Sequence, residues 1–136
     1  DLKNTVANLN IDMIGRSDKE NEGKNYVYVI GSDMLSTELK VINEAANKIT
    51  HNLELNYKYD DPNDPMRLYY RSDHYNFAKH GIPVAFFFDG IHEDYHQPTD
   101  DPEKIGYPLL QERAQLVFAT AWELANRKER IVVDKK

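Results

Sequence analysis

One short run of the sequence, residues 83–90 (PVAFFFDG), constrains the fold more than any other segment. Five consecutive apolar residues follow the proline, and an aspartate and a glycine close the run. This length is far below that of a membrane span and is typical of a buried β-strand that ends in a turn. The three phenylalanines are therefore expected in the core of a globular domain and not in a ligand site.

Other parts of the chain carry the alternating apolar pattern of strands. Residues 5–14, which end just before Gly15, residues 26–30, and residues 53–59 are each predicted to form one. The last of the three alternates cleanly, which favours a half-exposed strand at an edge of the sheet.

Helical spacing of apolar residues appears between these strands. It predicts a helix over residues 36–50 with Ser36 as its N-cap, a short helix over 72–80 capped by Ser72, and a final helix over 108–128. The apolar stripe of the final helix is predicted to include Leu109, Leu110, Val117, Ala121, Leu124 and Ala125. Strands that alternate with helices favour a layered α/β architecture, in which ligands gather beyond the C-terminal ends of the strands.

Composition excludes several kinds of partner and site. The 136 residues have the length of one domain, and their net charge of −6 provides no basic surface for nucleic acid. No stretch approaches the ~20 apolar residues of a membrane span, and the first residues lack the organisation of a signal peptide. Because the chain has no cysteine, a transition-metal site must use histidine, aspartate and glutamate, a donor set that fits hydrolytic zinc chemistry.

Residues 92–96 (HEDYH) match the pattern HExxH, which binds zinc when both histidines lie one turn apart on a helix. The flanking residues oppose a helix. Gly90 closes the preceding strand, and Pro98 disfavours helical backbone at the residue before it. We therefore expect a loop, from which His96 can still supply one metal ligand.

Four side chains are candidates for function, and each also has an ordinary structural explanation. Asp12 closes the first predicted strand, where a carboxylate must be hydrogen-bonded, paired or bound to a cation, or simply caps a loop. His96 is a metal ligand or a surface histidine. Asp73 is a functional carboxylate or a favourable acid in the first turn of a helix. Tyr95 packs within its loop or places a phenol beside a reacting carbonyl. The remaining histidines expected on the surface or in loops are His51, His80 and His92.

Four segments together resemble a known family: residues 10–16 (NIDMIGR), 71–77 (RSDHYNF), 81–84 (GIPV) and 94–100 (DYHQPTD). In this order they resemble the C-terminal half of the cocatalytic di-zinc aminopeptidases, the bacterial leucyl-aminopeptidase type, whose relatives include glutamate carboxypeptidases and glutaminyl cyclases. The likeness spans nearly the whole chain. It implies a three-layer αβα fold with a mixed, mostly parallel sheet, in which residues 1–136 are the C-terminal part of a single catalytic domain.

The resemblance also implies a role for each matching residue. It makes Asp12 the carboxylate ligand of one zinc ion and His96 the imidazole ligand of the other. Tyr95 is the candidate for hydrogen-bonding a developing oxyanion, and Asp73 is expected near Asp12 or the substrate amine. The implied cofactor is a pair of zinc ions that activate a bridging water, and the implied substrate is a peptide.

The remaining ligands of the family do not match this chain. They are a His-x-Asp pair, whose aspartate bridges the metals, and a Glu-Glu pair, whose first member is the general base. The chain has no Glu-Glu, and its His-x-Asp at residues 92–94 follows Asp12 instead of preceding it. We therefore expect a truncated sequence that lacks activity by itself, although its parent is a metallopeptidase.

The resemblance thus predicts a zinc-dependent exopeptidase, with aminopeptidase action favoured. One alternative is a non-catalytic relative that uses the same fold for binding. Another is an acyltransferase like the glutaminyl cyclases, which tend to carry tryptophan where this chain has Tyr95. Relatives of this type are often exported in bacteria, which favours export without fixing the compartment.

Overall fold

A computed structural model describes residues 2–135 of the chain. The strands in this part are β1 (Asn8–Ile11), β2 (Tyr26–Ile30), β3 (Glu54–Asn56) and β4 (Val84–Phe88), and the α-helices are α1 (Thr37–Ile49), α2 (Tyr75–Ala78) and α3 (Tyr107–Asn126). Short 3-10 helices span Leu2–Asn4, Lys19–Asn21, Leu68–Tyr70 and Pro102–Lys104. Strands and helices alternate as the sequence predicts.

Among residues 2–135, four strands form one open sheet in the order β1-β4-β2-β3. The outer pairs, β1 with β4 and β2 with β3, are parallel, whereas β4 and β2 are antiparallel. The predicted mixed, mostly parallel sheet is therefore confirmed. Because β1 and β4 run in the same direction, the loops that follow them leave from the same edge of the sheet.

Helical structure covers both faces of the sheet. On one face, α1 and α3 pack against each other and against apolar residues of the strands, among them Val27 and Phe87. On the other face, α2 and the 3-10 helix at Leu68–Tyr70 cover Tyr28 and Phe86. The three-layer α/β fold is thus confirmed, and β4 is buried along its whole length, as its apolar sequence predicts.

Two predicted strands are shorter than expected. The first ends at Ile11 because Met13 adopts a left-handed backbone (φ 63°) that interrupts the extended conformation. The third covers only Glu54–Asn56, although it lies at an edge of the sheet as predicted. The early end of β1 leaves Asp12 as the first residue beyond the strand.

The helices also differ from the prediction in part. Ser36 caps α1, since its hydroxyl accepts a hydrogen bond from the amide of Leu39, as predicted. The helix predicted over residues 72–80 has a single turn, and Ser72 does not cap it. In α3 the predicted apolar stripe is wrong at Ala121 and Ala125, which are exposed. The buried face of α3 consists of Arg113, Leu116, Val117 and Thr120.

Membrane insertion through a helix finds no support in the part of the chain that is described. None of its helices combines the length and the apolar character that crossing a bilayer requires.

Candidate active site

A cleft of about 360 Å³ lies at the edge of the sheet where β1 and β4 end. It is lined by Asp12, Met13, Leu68, Arg71, Ser72, Phe86, Phe88, Ile91, Tyr95, His96 and Asp100. Three of the four predicted candidates, Asp12, Tyr95 and His96, therefore line one cleft. The parallel pairing of β1 and β4 brings the first and last of these together across 84 positions of sequence.

The carboxylate of Asp12 is exposed to the cleft and held from one side. The hydroxyl of Ser72 donates a hydrogen bond to Oδ2 of Asp12 (2.7 Å). The side-chain Nδ2 of Asn10 in turn donates to the hydroxyl of Ser72 (3.0 Å). Because each group donates towards the next, the chain of hydrogen bonds ends on the carboxylate and orients it while it is negatively charged.

The side-chain amide of Asn10 also faces a buried histidine, which can accept a second hydrogen bond from it. His74 is fully buried and stacks on the ring of Phe86. Its Nε2 lies 2.6 Å from the carbonyl oxygen of Tyr69, so Nε2 carries the proton and Nδ1 is left as the acceptor that faces Asn10 at 3.5 Å. Burial lowers the pKa of His74 and keeps the ring neutral near pH 7.

His96 is presented by the loop that follows β4. Residues 90–98 form turns and no helix, so the HExxH pattern does not form a zincin helix, as predicted. His96 itself has a left-handed backbone (φ 56°), which is uncommon for a residue with a side chain. Its exposed ring stacks on Tyr95 with ring centroids 3.9 Å apart. Within residues 2–135 the stack is the contact that orients the ring, and its nitrogens make no hydrogen bond.

Tyr95 and Arg71 lie side by side in the lining of the cleft, and Arg71 brings a positive charge to it. Nη2 of Arg71 lies 3.4 Å from the hydroxyl oxygen of Tyr95. Arg71 is exposed and was not recognised from the sequence, because an arginine before a predicted helix cap carries no distinctive pattern. A phenol and a guanidinium that face one cleft provide hydrogen-bond donors for a carbonyl or carboxylate oxygen.

Asp73 is exposed and does not line this cleft. Within residues 2–135 its side chain makes no hydrogen bond to Asp12; the preceding residue, Ser72, makes that contact. Burial lowers the pKa of His74, and the negative charge of Asp73 opposes part of that shift. A role for Asp73 towards the substrate amine stays a prediction.

Behind the cleft, two buried charged residues brace the segments that carry Asp12 and His96. Arg113 of α3 donates from Nη1 to the carbonyl oxygens of Ile14 and Arg16 (both 2.7 Å) and lies 3.7 Å from the carboxylate of Asp89, which follows β4. Burial raises the pKa of Asp89 to about 6 and lowers that of Arg113. The sequence signal for this pair is an arginine within the apolar stripe of α3, whose partners cannot be read from local spacing.

The side chains present fit part of a zinc site. A carboxylate oxygen and an imidazole nitrogen are ordinary zinc donors, and an anchoring hydrogen bond such as that of Ser72 is typical of metal-binding carboxylates. Throughout residues 2–135, however, no group of three or more His, Asp, Glu or Cys side chains lies close enough to hold a metal ion. A complete site would need donors from outside the described residues.

Comparisons with known proteins agree with the fold. The model of peptidase family M28 matches residues 1–121. A comparison with curated proteins gave no significant match.

Solved structures of bacterial aminopeptidases superpose on this chain. They include the LapA aminopeptidase of Legionella pneumophila (20% identity, TM-score 0.72, 91% of this chain and 32% of that one). An aminopeptidase from Aneurinibacillus sp. strain AM-1 has 23% identity and a TM-score of 0.66, over 99% of this chain and 29% of that one. BSAP, a zinc aminopeptidase from Bacillus subtilis, has 27% identity and a TM-score of 0.66, over 99% of this chain and 32% of that one. This chain thus spans about a third of the length of each solved structure.

Proposed function

The chain belongs to peptidase family M28, and from this membership we propose that it is part of a zinc-dependent exopeptidase that removes N-terminal residues from peptides. The observation that carries the proposal is the convergence of Asp12 and His96 on one cleft at the C-terminal edge of the sheet. The similarity to a zinc aminopeptidase of Bacillus subtilis supports both the metal and the substrate class.

In this proposal Asp12 and His96 are two of five ligands for a pair of zinc ions. The other three and the general base come from a His-x-Asp and a Glu-Glu that precede Asp12 in a longer protein. Bound zinc supplies a water whose pKa is lowered towards about 7 and a Lewis acid for the scissile carbonyl. Residues 1–136 would then be the C-terminal part of one catalytic domain and inactive by themselves.

The residues of the cleft have defined tasks around this metal pair. Ser72 and Asn10 keep the carboxylate of Asp12 aimed into the cleft, which preserves its geometry when the metal leaves. Tyr95 donates a hydrogen bond from its phenol to the oxygen that would become negatively charged when water attacks the peptide carbonyl. Arg71, beside that phenol, adds positive charge on the same side of the cleft.

The proposal is tested by zinc content and peptidase activity in the full-length protein. Zinc is measured after dialysis, and turnover is measured on a peptide with a free N-terminus. Asp12→Ala and His96→Ala should each reduce bound zinc and turnover together. Asp61→Ala, which removes an exposed carboxylate outside the cleft, is the matched control and should leave both unchanged. Normal zinc content in Asp12→Ala would remove Asp12 from the metal site and overturn the proposal.

A non-catalytic binding protein of the same fold is the second candidate. Absence of a His-x-Asp or a Glu-Glu from the sequence that precedes Asp12 in the longer protein would favour it. The same assay separates the two, because a full-length protein that retains no zinc and hydrolyses no peptide would support the binding protein.

A further inference from the structure

The guanidinium of Arg16 makes two ion pairs with the loop that presents His96. Nη2 of Arg16 lies 2.7 Å from Oδ2 of Asp94, and Nη1 lies 2.8 Å from Oδ1 of Asp100. We call residues 94–100 the His96 loop. Since Asp94 precedes His96 by two positions and Asp100 follows it by four, the two ion pairs hold this loop on both sides of the histidine.

The backbone of Arg16 is in turn fixed to the buried core. Its amide donates to Oδ2 of Asp89 (2.5 Å), and its carbonyl oxygen accepts from Nη1 of Arg113 (2.7 Å). Asp89 and Arg113 are both fully buried. Arg16 also follows Asp12 by only four positions. The guanidinium therefore extends from the same anchored segment that carries one candidate ligand.

The two aspartates are not equally dependent on Arg16. Asp94, whose side chain is 7% exposed, also accepts hydrogen bonds from Thr99 Oγ1 (2.6 Å) and Lys104 Nζ (2.7 Å). Asp100 is 44% exposed, and its carboxylate contacts only Arg16 within residues 2–135. A planar guanidinium can bind two carboxylates at fixed angles, whereas the ammonium of Lys104 binds Asp94 alone. Arg16 is thus the cation that joins both ends of the loop.

His96 depends on this loop for its position. Its backbone is left-handed, a conformation that persists in a residue other than glycine only where the surroundings enforce it. Its imidazole makes no hydrogen bond to any described residue and only stacks on Tyr95. The direction of the ring is therefore set by the backbone that Arg16 holds.

We propose that Arg16 is a positioning residue that fixes the His96 loop relative to Asp12 and thereby sets the geometry of the metal site. The inference rests on the proposed function, because that function assigns Asp12 and His96 as ligands. Arg16 itself touches neither metal nor substrate in this proposal.

The test compares two variants of the full-length protein, each of which removes a cationic side chain that binds Asp94. Arg16→Met removes both ion pairs, whereas Lys104→Met removes one donor from Asp94 and leaves Asp100 held. Amide hydrogen exchange of the His96 loop is measured in the zinc-free protein, with the amides of β2 and β4 as a check on global stability. Zinc affinity is measured by titration against a chromogenic chelator. Asp100→Asn, at an exposed position, is the second variant in case Arg16→Met does not fold.

In Arg16→Met the amides of the His96 loop are expected to exchange at least about tenfold faster than in wild type, and the exchange of amides in β2 and β4 should not change. It should also weaken zinc binding by about 10–100-fold, the usual effect of losing a group that orients a ligand. Lys104→Met should change both quantities less, and Asp100→Asn should accelerate loop exchange. Loop exchange in Arg16→Met equal to that in Lys104→Met, or unchanged zinc affinity in a loosened loop, would overturn the inference.

Failure of the proposed function gives a different result. If the wild-type protein binds no zinc, and His96→Ala therefore changes nothing, the proposed function is wrong, and this inference falls with it as a statement about a metal site. If His96→Ala weakens zinc binding and Arg16→Met does not, the proposed function stands and only the role of Arg16 is wrong.

Discussion

The hydroxyl of Ser72 donates a hydrogen bond to Oδ2 of Asp12 over 2.7 Å, although the two residues are 60 positions apart. The sequence predicts Ser72 as a helix cap, and the structure gives its hydroxyl to the carboxylate at the end of β1 instead. The contact occupies one carboxylate oxygen and directs the group into the cleft. The orientation of the Asp12 carboxylate therefore depends on two segments that are distant in sequence.

Ser72→Ala should weaken zinc binding to the full-length protein by about 10–100-fold, because an unanchored carboxylate loses orientation. The measurement is zinc affinity by competition with a chelator. Ser72→Thr retains the hydroxyl and should restore most of the affinity. Equal zinc affinity in wild type and Ser72→Ala would show that the contact does not orient a ligand.

Tyr95→Phe should lower kcat by about 10²–10³-fold without loss of zinc, since a hydrogen-bond donor to the developing oxyanion acts in the transition state. Steady-state kinetics and zinc content are measured on the same preparation. Tyr107→Phe, at an exposed position outside the cleft, is the control and should leave kcat unchanged. An unaltered kcat in Tyr95→Phe would assign Tyr95 to packing against His96.

Arg113→Met should lower the free energy of unfolding by about 3–5 kcal/mol, because it leaves the buried carboxylate of Asp89 without its cation. Urea unfolding provides the measurement. Arg127→Met removes a partly exposed ion pair with Glu38 (3.1 Å) and should change the free energy by less than about 1 kcal/mol. A similar small effect in both variants would mean that the buried pair does not support the fold.

His74 should lower the free energy of unfolding as the pH falls below 6.5, whereas Asp89, whose pKa burial raises to about 6, acts in the opposite direction below pH 6. The pKa of His74 is lowered in the folded state by burial, so below 6.5 the unfolded chain takes up a proton that the folded protein resists. The slope from one such group is at most about 1.4 kcal/mol per pH unit.

The measurement for His74 is urea unfolding of wild type and His74→Gln between pH 7.5 and the acid limit of reversible unfolding. The variant should lose part of the pH dependence, whereas His80→Gln, at an exposed position, controls for the loss of one histidine. Parallel pH profiles for wild type and His74→Gln would contradict the assignment.

Much of the fold can be predicted from local pattern. β2 agrees with its predicted bounds, α1 begins after the predicted cap Ser36, and β4 occupies the apolar run before Asp89. In each case the residues that decide the element are close in sequence, so periodicity and capping are sufficient. The exceptions include α2 and the end of β1, where Ser72 and Met13 follow tertiary contacts and backbone turns instead of local preference.

The candidate site is only partly predictable in the same way. Asp12 and His96 were identified because they stand in short motifs that resemble a known family. Asn10 and Arg16 stand in the first of these motifs without an assigned role, and Arg113 stands in none. The hydrogen-bond partners of these three side chains lie 62 to 99 positions away, so local sequence does not indicate them. For the buried ion pair of Arg113 and Asp89, the available signal in the sequence was an arginine inside the apolar stripe of a predicted helix.

By itself, the amino-acid sequence determined the α/β class, the burial of β4 and the choice of candidate zinc-binding side chains, because these depend on periodicity and on donor chemistry. Only the tertiary structure decided that Asp12 and His96 face one cleft, that Ser72 orients the first, and that Arg16 holds the loop of the second. The physical reason is that parallel pairing of β1 with β4 joins strand ends far apart in sequence, and hydrogen bonds between such segments have no local signature.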